Sequence, residues 1–236
     1  MKINDISPIS INEAFNVTRM SKSSWFKLKI GGKIIHFDPG YAGFYENQGI
    51  PESELDERAD MILISHNHKD HIQELALQKI RKPETMVIAP FGSIDDLGLI
   101  YNGLRPGDQI SVGDFTIIAV DAYNTETGHS TRKAHHKGDF VGYLLKYNTV
   151  CLYFAGDTDV IDEMRHFGKV DFAFLPIGGT YVMDSDEAVE AVKIIQPKIV
   201  FPMHHANADM DAFKKNLLKQ TQSKAIVLNV GDHVTV

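Results

Sequence analysis

The segment of residues 65–71 constrains this chain more than any other part of its sequence. It reads Ser-His-Asn-His-Lys-Asp-His and follows residues 61–64, an apolar run that predicts a buried strand. It contains four potential metal ligands, at His66, His68, Asp70 and His71. On an extended backbone, residues two apart face the same side, so the first two histidines can hold one metal ion together. The last two ligands, at the predicted start of a helix, suit a second ion.

Length and composition predict one large domain over residues 1–236, because 43% of the residues are hydrophobic and no linker-like stretch divides them. The formal net charge of −7 makes long nucleic acid an unfavourable partner, since an acidic surface repels polyphosphates. The single cysteine, Cys151, excludes an intramolecular disulfide and fits a reducing compartment. The sequence shows no signal peptide and no membrane span, so we expect a cytoplasmic protein.

Short apolar runs alternate with helical patterns along the chain. Residues 25–30 and 33–37 predict a hairpin around a Gly-Gly pair. Further strands are predicted at residues 61–64, 86–89, 108–120 (in two pieces), 140–147, 149–155, 170–175, 198–201 and 225–229. Helices are predicted at residues 72–81, near 93, and at 161–167, 184–195 and 209–219, the fourth of these with a capping box at Asp184 and Glu187.

The polar residues 122–138 predict a long loop, and long loops in compact domains are often functional. The order of the elements predicts an α/β fold. We expect a four-layer αββα sandwich, in which two mixed β-sheets pack face to face and helices cover the outer faces.

Two later motifs repeat the design of a strand followed by metal-ligating side chains. Residues 153–158 read Tyr-Phe-Ala-Gly-Asp-Thr, an apolar strand and a glycine turn before Asp157. Residues 201–205 are an apolar strand end followed by His204 and His205. Either motif alone is compatible with an ordinary turn or a surface histidine. Three such motifs in one chain indicate that strands deliver ligands to one edge of a sheet.

These motifs, and their order along the chain, resemble those of the metallo-β-lactamase superfamily from about Trp25 to His205. The resemblance implies that the first motif supplies three histidines and an aspartate to a metal centre. It also implies that Asp157 bridges two metal ions and that His204 is the last ligand. Asp38, in the segment Phe-Asp-Pro-Gly, is implied to hold a ligand histidine in one tautomer. Without the resemblance, that segment is a plain turn.

The resemblance implies one further imidazole ligand, and the loop of residues 122–138 offers His129, His135 and His136. The stretch Ala-Tyr-Asn at residues 122–124, followed by His-His-Lys-Gly at residues 135–138, resembles one branch of the superfamily. That match implies His135 as the ligand, with His136 as the alternative and His129 as a solvated loop residue. In many relatives of the broader lactonase-like branch, the ligand stands where this chain has Asn124.

The resemblance therefore implies a binuclear centre in which Asp157 is shared. The two ions have these further ligands: His66, His68 and His135 for the first, and Asp70, His71 and His204 for the second. Imidazole and carboxylate ligands make Zn²⁺ the first expectation, with Mn²⁺, Fe²⁺ or Ni²⁺ also compatible. Diiron oxygen reductases that resemble the superfamily usually carry Glu in place of His68, so the histidine favours hydrolysis.

Two such ions lower the pKa of a shared water toward about 7 and hold a bridging hydroxide, which attacks an electrophilic carbonyl or phosphorus. Asp70 is a catalytic candidate that orients this nucleophile or takes its proton. His205 is a candidate proton donor to the leaving group, or else a structural histidine.

The sequence also offers candidate pocket residues. In residues 176–183, Thr180 and Tyr181 either contact substrate or belong to a turn. Three aromatic residues either line the pocket or pack within a loop: Tyr41, Phe44 and Tyr45.

The compact length resembles the lactonase-like and uncharacterised hydrolase branch of the superfamily, so we expect a small ester, lactone or phosphoester metabolite as the substrate. A phosphodiesterase or nuclease on the same centre is the first alternative, and a basic stripe beside the pocket would favour it. A non-catalytic metal-binding protein and a mono-metal relative, a dioxygenase or thioesterase, are the others. The sequence does not fix the oligomeric state, for which a homo-oligomer is a reasonable expectation.

Overall fold

The computed structural model describes residues 14–41, 43, 49–50 and 52–236. The strands within this part of the chain are, in order, β1 Asn16–Arg19, β2 Phe26–Ile30, β3 Lys33–Phe37, β4 Met61–Leu63, β5 Met86–Pro90, β6 Asn102–Leu104, β7 Gln109–Val112, β8 Phe115–Asp121, β9 Val141–Tyr147, β10 Val150–Phe154, β11 Phe172–Pro176, β12 Ile199–Met203, β13 Lys224–Ala225 and β14 His233–Thr235. The helices are α1 Glu52–Leu55, α2 Glu74–Ile80, α3 Ser185–Ile195 and α4 Met210–Gln220, with 3₁₀ turns at Asp95–Leu97 and Asp162–His166.

The described strands form two mixed sheets of seven strands each. The first has the order β14-β1-β2-β3-β4-β5-β6, and its strands β3 to β6 run parallel. The second has the order β13-β12-β11-β10-β9-β8-β7, and its strands β10 to β13 run parallel. The remaining pairs in both sheets are antiparallel.

Aromatic side chains fill the space between the sheets around Phe174 on β11. Its ring centroid lies 4.9 Å from that of Phe26 and 4.7 Å from that of Phe201, while Phe37 stacks on Phe154 at 4.6 Å. All five side chains are at most 1% exposed. Since Phe26 and Phe37 belong to the first sheet and the other three to the second, this cluster joins the two sheets.

Helices cover the outer faces of both sheets. On β4, Met61 and Leu63 belong to the inner core, whereas Ile62 belongs to an outer cluster with the apolar residues of α2. This alternation has the period of two that a strand imposes on its side chains. On the other side of the molecule, the buried stripes of α3 and α4 join the core of the second sheet.

The predicted sandwich of two mixed sheets with outer helices is confirmed. The hairpin of β2 and β3 and the second hairpin of β9 and β10 form where the sequence predicted them. The N-cap role of Asp184 is confirmed, because its side chain accepts hydrogen bonds from the backbone of Asp186 and Glu187. In the described part of the chain, no helix combines the length and apolar character that a membrane crossing needs.

Several boundaries were predicted wrongly. The strands β1, β6 and β14 were missed, because each has only three or four residues and no apolar run. The strand predicted at residues 225–229 is reduced to Lys224–Ala225. The helix predicted from residue 72 begins at Glu74, so Asp70 and His71 lie on the turn before it and not in its first turn.

Replacing Phe174 by Ala should lower the free energy of unfolding by about 3–5 kcal/mol, because the change leaves a cavity between the sheets. Chemical denaturation measures this value. Leu218→Ala is the control: this side chain on α4 is 64% exposed, and its loss should cost at most about 0.5 kcal/mol. Equal stability of the two variants would show that the aromatic cluster does not hold the sheets together.

Candidate metal centre

The predicted ligand segments follow strands that end at one edge of the sandwich. Residues 66–71 follow β4, and Asp38 follows β3, which is parallel to β4. Asp157 follows β10 and His204 follows β12, and both strands run parallel to β11 between them. His135 lies on the loop between β8 and β9. Because the carboxyl ends of parallel strands share one edge of a sheet, the topology brings these segments together.

Three overlapping groups of three ligating side chains form at this edge, and two of them share no member; in each group the ligand atoms lie within 4.8 Å of one another. The members of these two groups are His66, His68 and His135 in the first, and Asp70, His71 and His204 in the second. These are the two sets that the sequence analysis assembled. The loop contributes His135, which is 1% exposed, whereas the alternative His136 is exposed to solvent.

The Asp157 carboxylate, which is 3% exposed, lies between the two groups. Its Oδ2 is 3.6 Å from Nε2 of His135 and 4.0 Å from Nε2 of His66, in the first group. Its Oδ1 is 3.3 Å from Nε2 of His71, and its Oδ2 is 3.5 Å from Nε2 of His204, in the second group. Both groups therefore have access to the same carboxylate.

Four buried polar atoms at this point have no hydrogen-bond partner among the residues that the structure describes: His66 Nε2, His71 Nε2, His135 Nε2 and Asp157 Oδ1. A buried polar atom without a partner costs about 1–3 kcal/mol. A cluster of such atoms is therefore unfavourable unless a ligand binds there. Imidazole nitrogens and carboxylate oxygens are donors that Zn²⁺ and similar ions prefer. The residues of this site fit a metal centre.

The charges of the site favour a cation. Burial would raise the pKa of Asp157, but the imidazoles of His204 and His71 outweigh burial and hold this pKa well below its usual range. Burial would lower the pKa of His71, but the carboxylates of Asp157 and Asp38 outweigh burial and hold this pKa well above its usual range. The carboxylates thus stabilise positive charge at the ring nitrogens, and a divalent ion supplies such charge.

Asp70 lies on the turn before α2, with its Oδ2 3.1 Å from Nε2 of His204 and 3.6 Å from Nε2 of His71. Burial would raise its pKa, but the hydrogen bond to His204 and the charge of His71 lower the pKa to about 2. The carboxylate is therefore ionised at neutral pH. Such a weak base fits a ligand that orients water better than a residue that accepts a proton.

Hydrogen bonds on the far side of two rings fix their tautomers. Oδ2 of Asp38 accepts from Nδ1 of His71 at 2.7 Å and from the Ser65 hydroxyl at 2.6 Å. The Ser65 oxygen in turn accepts from Nδ1 of His66 at 2.9 Å. Because Nδ1 of each ring donates on the far side, Nε2 is the atom that faces Asp157, and a metal ion there would replace any proton on it. These contacts agree with the role predicted for Asp38, whereas the part of Ser65 was not predicted.

Asn124 plays the corresponding part for His135. Its Oδ1 accepts from Nδ1 of His135 at 3.1 Å and from the backbone N–H groups of Ala134 and His135 at 3.0 Å. An amide oxygen can only accept, so Nδ1 carries the proton and Nε2 is left for a metal ion. The sequence analysis noted Asn124 only as a departure from relatives that have a ligand there. In this structure it orients a candidate ligand, His135, that comes from further along the loop.

A second carboxylate, Asp159, anchors the loop beneath Asn124. Its side chain is fully buried, and its Oδ1 accepts from Nδ2 of Asn124 at 3.2 Å. Its Oδ2 accepts from the backbone of Thr125, the hydroxyl of Ser130 and the ammonium of Lys133. Sequence reasoning missed this role. The available signal was a second aspartate two residues after Asp157, beside a loop rich in polar residues.

His205 is directed toward Arg19. Its Nε2 lies 2.8 Å from Nη1 of Arg19, a buried guanidinium that also donates to three backbone carbonyls. Because a guanidinium only donates hydrogen bonds, Nε2 accepts and has no proton to give. Burial and the charge of Arg19 both lower the pKa of this imidazole. The geometry is contrary to the predicted role of His205 as a proton donor and favours a structural role.

The backbone next to the second group is tightly packed. A Cβ at Gly40 would lie 2.5 Å from the backbone of His71, so only glycine allows this approach. Gly178 meets His204 in the same way, because a Cβ there would clash with the His204 carbonyl oxygen. The Gly-Gly pair at residues 178–179 therefore brings its loop against a candidate ligand. Tyr41 is buried, whereas Phe44 and Tyr45 lie outside the described residues.

Comparison with known proteins supports this picture. A family model described as the β-lactamase superfamily domain matches residues 16–204. The chain belongs to the metallo-β-lactamase superfamily. Among its relatives is a UPF0173 metal-dependent hydrolase of Thermococcus onnurineus, 32% identical over 217 residues, with 86% of this chain and 92% of that protein covered.

Two solved structures share the fold over nearly their whole length. One, from Parabacteroides distasonis and named as a metal-dependent hydrolase, has a TM-score of 0.81 and 29% identity and covers 93% of this chain and 94% of its own. The other is a metallo hydrolase of Ignicoccus hospitalis, with a TM-score of 0.77, 25% identity, and coverage of 94% and 98%. Both agree with the two-sheet architecture described above.

Replacing Asn124 by Ala should weaken metal binding by about 10- to 100-fold, because His135 loses the acceptor that fixes its tautomer. Competition with a chromogenic chelator measures this affinity. Asn207→Ala is the matched control, since Asn207 is exposed and lies three residues after His204. An unchanged affinity in the Asn124 variant would show that His135 does not depend on Asn124 or does not bind the metal.

Proposed function

We propose that this protein hydrolyses a small ester, lactone or phosphoester metabolite at a binuclear metal centre. One observation carries the proposal: two groups of ligating side chains face a single buried carboxylate, and three atoms of the groups and one of the carboxylate have no hydrogen-bond partner within the described structure. A mono-metal site would use only one group. The relatives that carry the name of metal-dependent hydrolase support the assignment to hydrolysis.

The residues divide into three tasks. The two ions would be held by the seven predicted ligands: His66, His68, Asp70, His71, His135, Asp157 and His204. When bound, Zn²⁺ or a similar divalent ion polarises the substrate and makes water a nucleophile at neutral pH. Asp38, Ser65 and Asn124 keep the protons of three rings on Nδ1 and away from the ions. Asp70 orients the attacking water through a carboxylate that stays ionised.

The charge of the chain supports a small substrate. A cavity of about 390 Å³ near the loop after His204 is lined by Ile177, Gly178, Thr180 and residues 184–186 and 206–208, and none of the seven candidate ligands lines it. This cavity is therefore not assigned to the substrate. The net charge of −7 disfavours long nucleic acid, which is why the phosphodiesterase or nuclease reading stays the alternative.

Arg132 favours an anionic substrate among the candidate classes. It lies on the loop that carries His135, and its Nη1 donates to the hydroxyl of Tyr181 at 2.7 Å. Its neighbours Lys133 and Lys137 are paired with Asp159 and Glu163, but no carboxylate of the described residues pairs with Arg132. Phosphoesters are therefore the first substrates to screen, before lactones and carboxylic esters.

Elemental analysis of protein purified without added metal tests the binuclear centre. Wild-type protein should contain about two ions per chain, whereas Asp157→Ala should retain at most one, because both groups lose the shared ligand. Asp162→Ala is the control, since this carboxylate is 98% exposed on a surface turn. About one ion in both the wild type and the Asp157 variant would contradict the binuclear centre and favour the mono-metal alternative.

Kinetics on chromogenic phosphoesters, lactones and esters separates the two catalytic candidates. Asp70→Asn should reduce kcat by about 10²–10⁴-fold, because the water loses its orienting carboxylate. His205→Gln should reduce kcat by less than the roughly 10²-fold that loss of a general acid costs, since His205 accepts from Arg19. The reverse order of effects would restore His205 as the proton donor.

A further inference from the structure

A second cluster of metal-ligating side chains lies where the loop of residues 122–138 meets the start of α3. His129 comes from the loop, Asp184 is the N-cap of α3, and Glu187 lies in its first turn. The ligand atoms of the three side chains lie within 4.8 Å of one another. Nδ1 of His129 is 2.8 Å from Oδ2 of Asp184. None of these residues belongs to the centre described above.

Both carboxylates have atoms that the helix does not use. Asp184 caps α3 through Oδ1, which accepts from the backbone of Asp186 and Glu187, and its Oδ2 is left facing His129. Glu187 is only 8% exposed, and its Oε2 is buried without a hydrogen-bond partner in the described part of the chain. In a capping box this carboxylate would accept from the backbone of Asp184. Here the carboxylate instead faces the loop, where the backbone of His129 hydrogen-bonds to it, and its Oε2 is left for another partner.

We propose that His129, Asp184 and Glu187 bind a divalent transition-metal ion at a site separate from the binuclear centre. One imidazole and two carboxylates are a donor set that suits Zn²⁺. Ligand atoms around one Zn²⁺ ion are about 3.3 Å apart when the metal–ligand distances are about 2.0–2.1 Å. The side chains of His129 and Asp184 are 56% and 38% exposed, so they can move the short distance that coordination requires.

The electrostatics of the site favour a cation. A helix N-terminus carries about half a positive charge, which opposes cation binding. The first two turns of α3, however, present four carboxylates, at Asp184, Asp186, Glu187 and Glu190. A cavity of about 450 Å³ adjoins His129 and three of these residues, Asp186, Glu187 and Glu190. Water and ions therefore have access to the cluster.

The position of the site gives it a structural consequence. His129 is six residues before the candidate ligand His135 on the same loop. An ion held by His129 and the two carboxylates of α3 therefore ties this loop to the helix. The site is expected to stabilise the folded protein, since an ion that binds only the native state raises its stability by mass action.

Equilibrium dialysis against Zn²⁺, followed by elemental analysis, tests the proposal. Wild-type protein should bind one additional zinc ion per chain, held more weakly than those of the binuclear centre. His129→Ala and Glu187→Gln should lack this additional ion. Loss of a residue that only hydrogen-bonds to a metal ligand lowers metal affinity by roughly 10-fold. Loss of His129 or Glu187, which would bind the zinc directly, should lower the affinity by at least as much. His136→Ala is the matched control, because His136 is an exposed histidine on the same loop. It should retain the wild-type stoichiometry.

A second readout guards against misfolded variants. The Tm of each variant in chelator should match that of the wild type, and added Zn²⁺ should raise the Tm more in the wild type and His136→Ala than in the other two. The same comparison in an Asp157→Ala background keeps the result independent of the binuclear centre. Equal zinc content and equal Tm increments in all four proteins, in either background, would overturn the proposal.

Discussion

The carboxylate of Asp157 is the group on which the rest of this structure depends. It is 3% exposed, and burying a carboxylate costs several kcal/mol unless positive charge compensates it. The compensating imidazoles come from segments after β4 and β12 and from the loop after β8, that is, from both sheets. The two sheets must therefore face each other with their strand ends aligned. The aromatic cluster around Phe174 holds them in that arrangement.

Four of the five candidate ligand rings are held in place, each by a different contact. His71 donates directly to a carboxylate, His66 donates to the same carboxylate through Ser65, and His135 donates to the Asn124 amide. His204 instead depends on the backbone, which adopts a φ of 46° and is packed against Gly178. A left-handed backbone at a residue other than glycine costs about 1–3 kcal/mol and persists only where the surroundings enforce it. The site thus stores strain on the side where His204 and Asp70 meet.

The positions of the candidate ligands after strands were predictable because they follow from local rules. An apolar run ends, the backbone stays extended, and the residues that come next emerge at the sheet edge, as at His66 and Asp157. The choice between His135 and His136 has no such rule, since the loop has no periodicity and the decision rests on hydrogen bonds to Asn124, eleven residues away. The surroundings of His205 were equally hard to predict, for a related reason. The left-handed backbone at His204 separates two adjacent histidines into different environments.

The same limit applies to the short strands and to the buried polar network. The strands β1, β6 and β14 are stabilised by pairing with neighbouring strands and not by their own composition, so no local sequence pattern predicts them. Asp159 is an ordinary turn residue in the sequence and becomes an anchor only when the loop folds over it. Long-range partners of this kind are what a single sequence leaves open.

The loop of residues 122–138 carries both a candidate ligand of the proposed binuclear centre, His135, and one ligand of the proposed separate site, His129. Two sites that order the same segment are coupled in principle, and the coupling acts equally in both directions. Here the loop is already tied by Asp159 and by backbone hydrogen bonds from Thr131 to Gly179 and from Arg132 to Thr180. Little disorder remains for an ion at His129 to remove. An ion at the proposed site of His129, Asp184 and Glu187 would therefore act mainly on the junction of the loop with α3, and we expect its effect on metal affinity at His135 to be small.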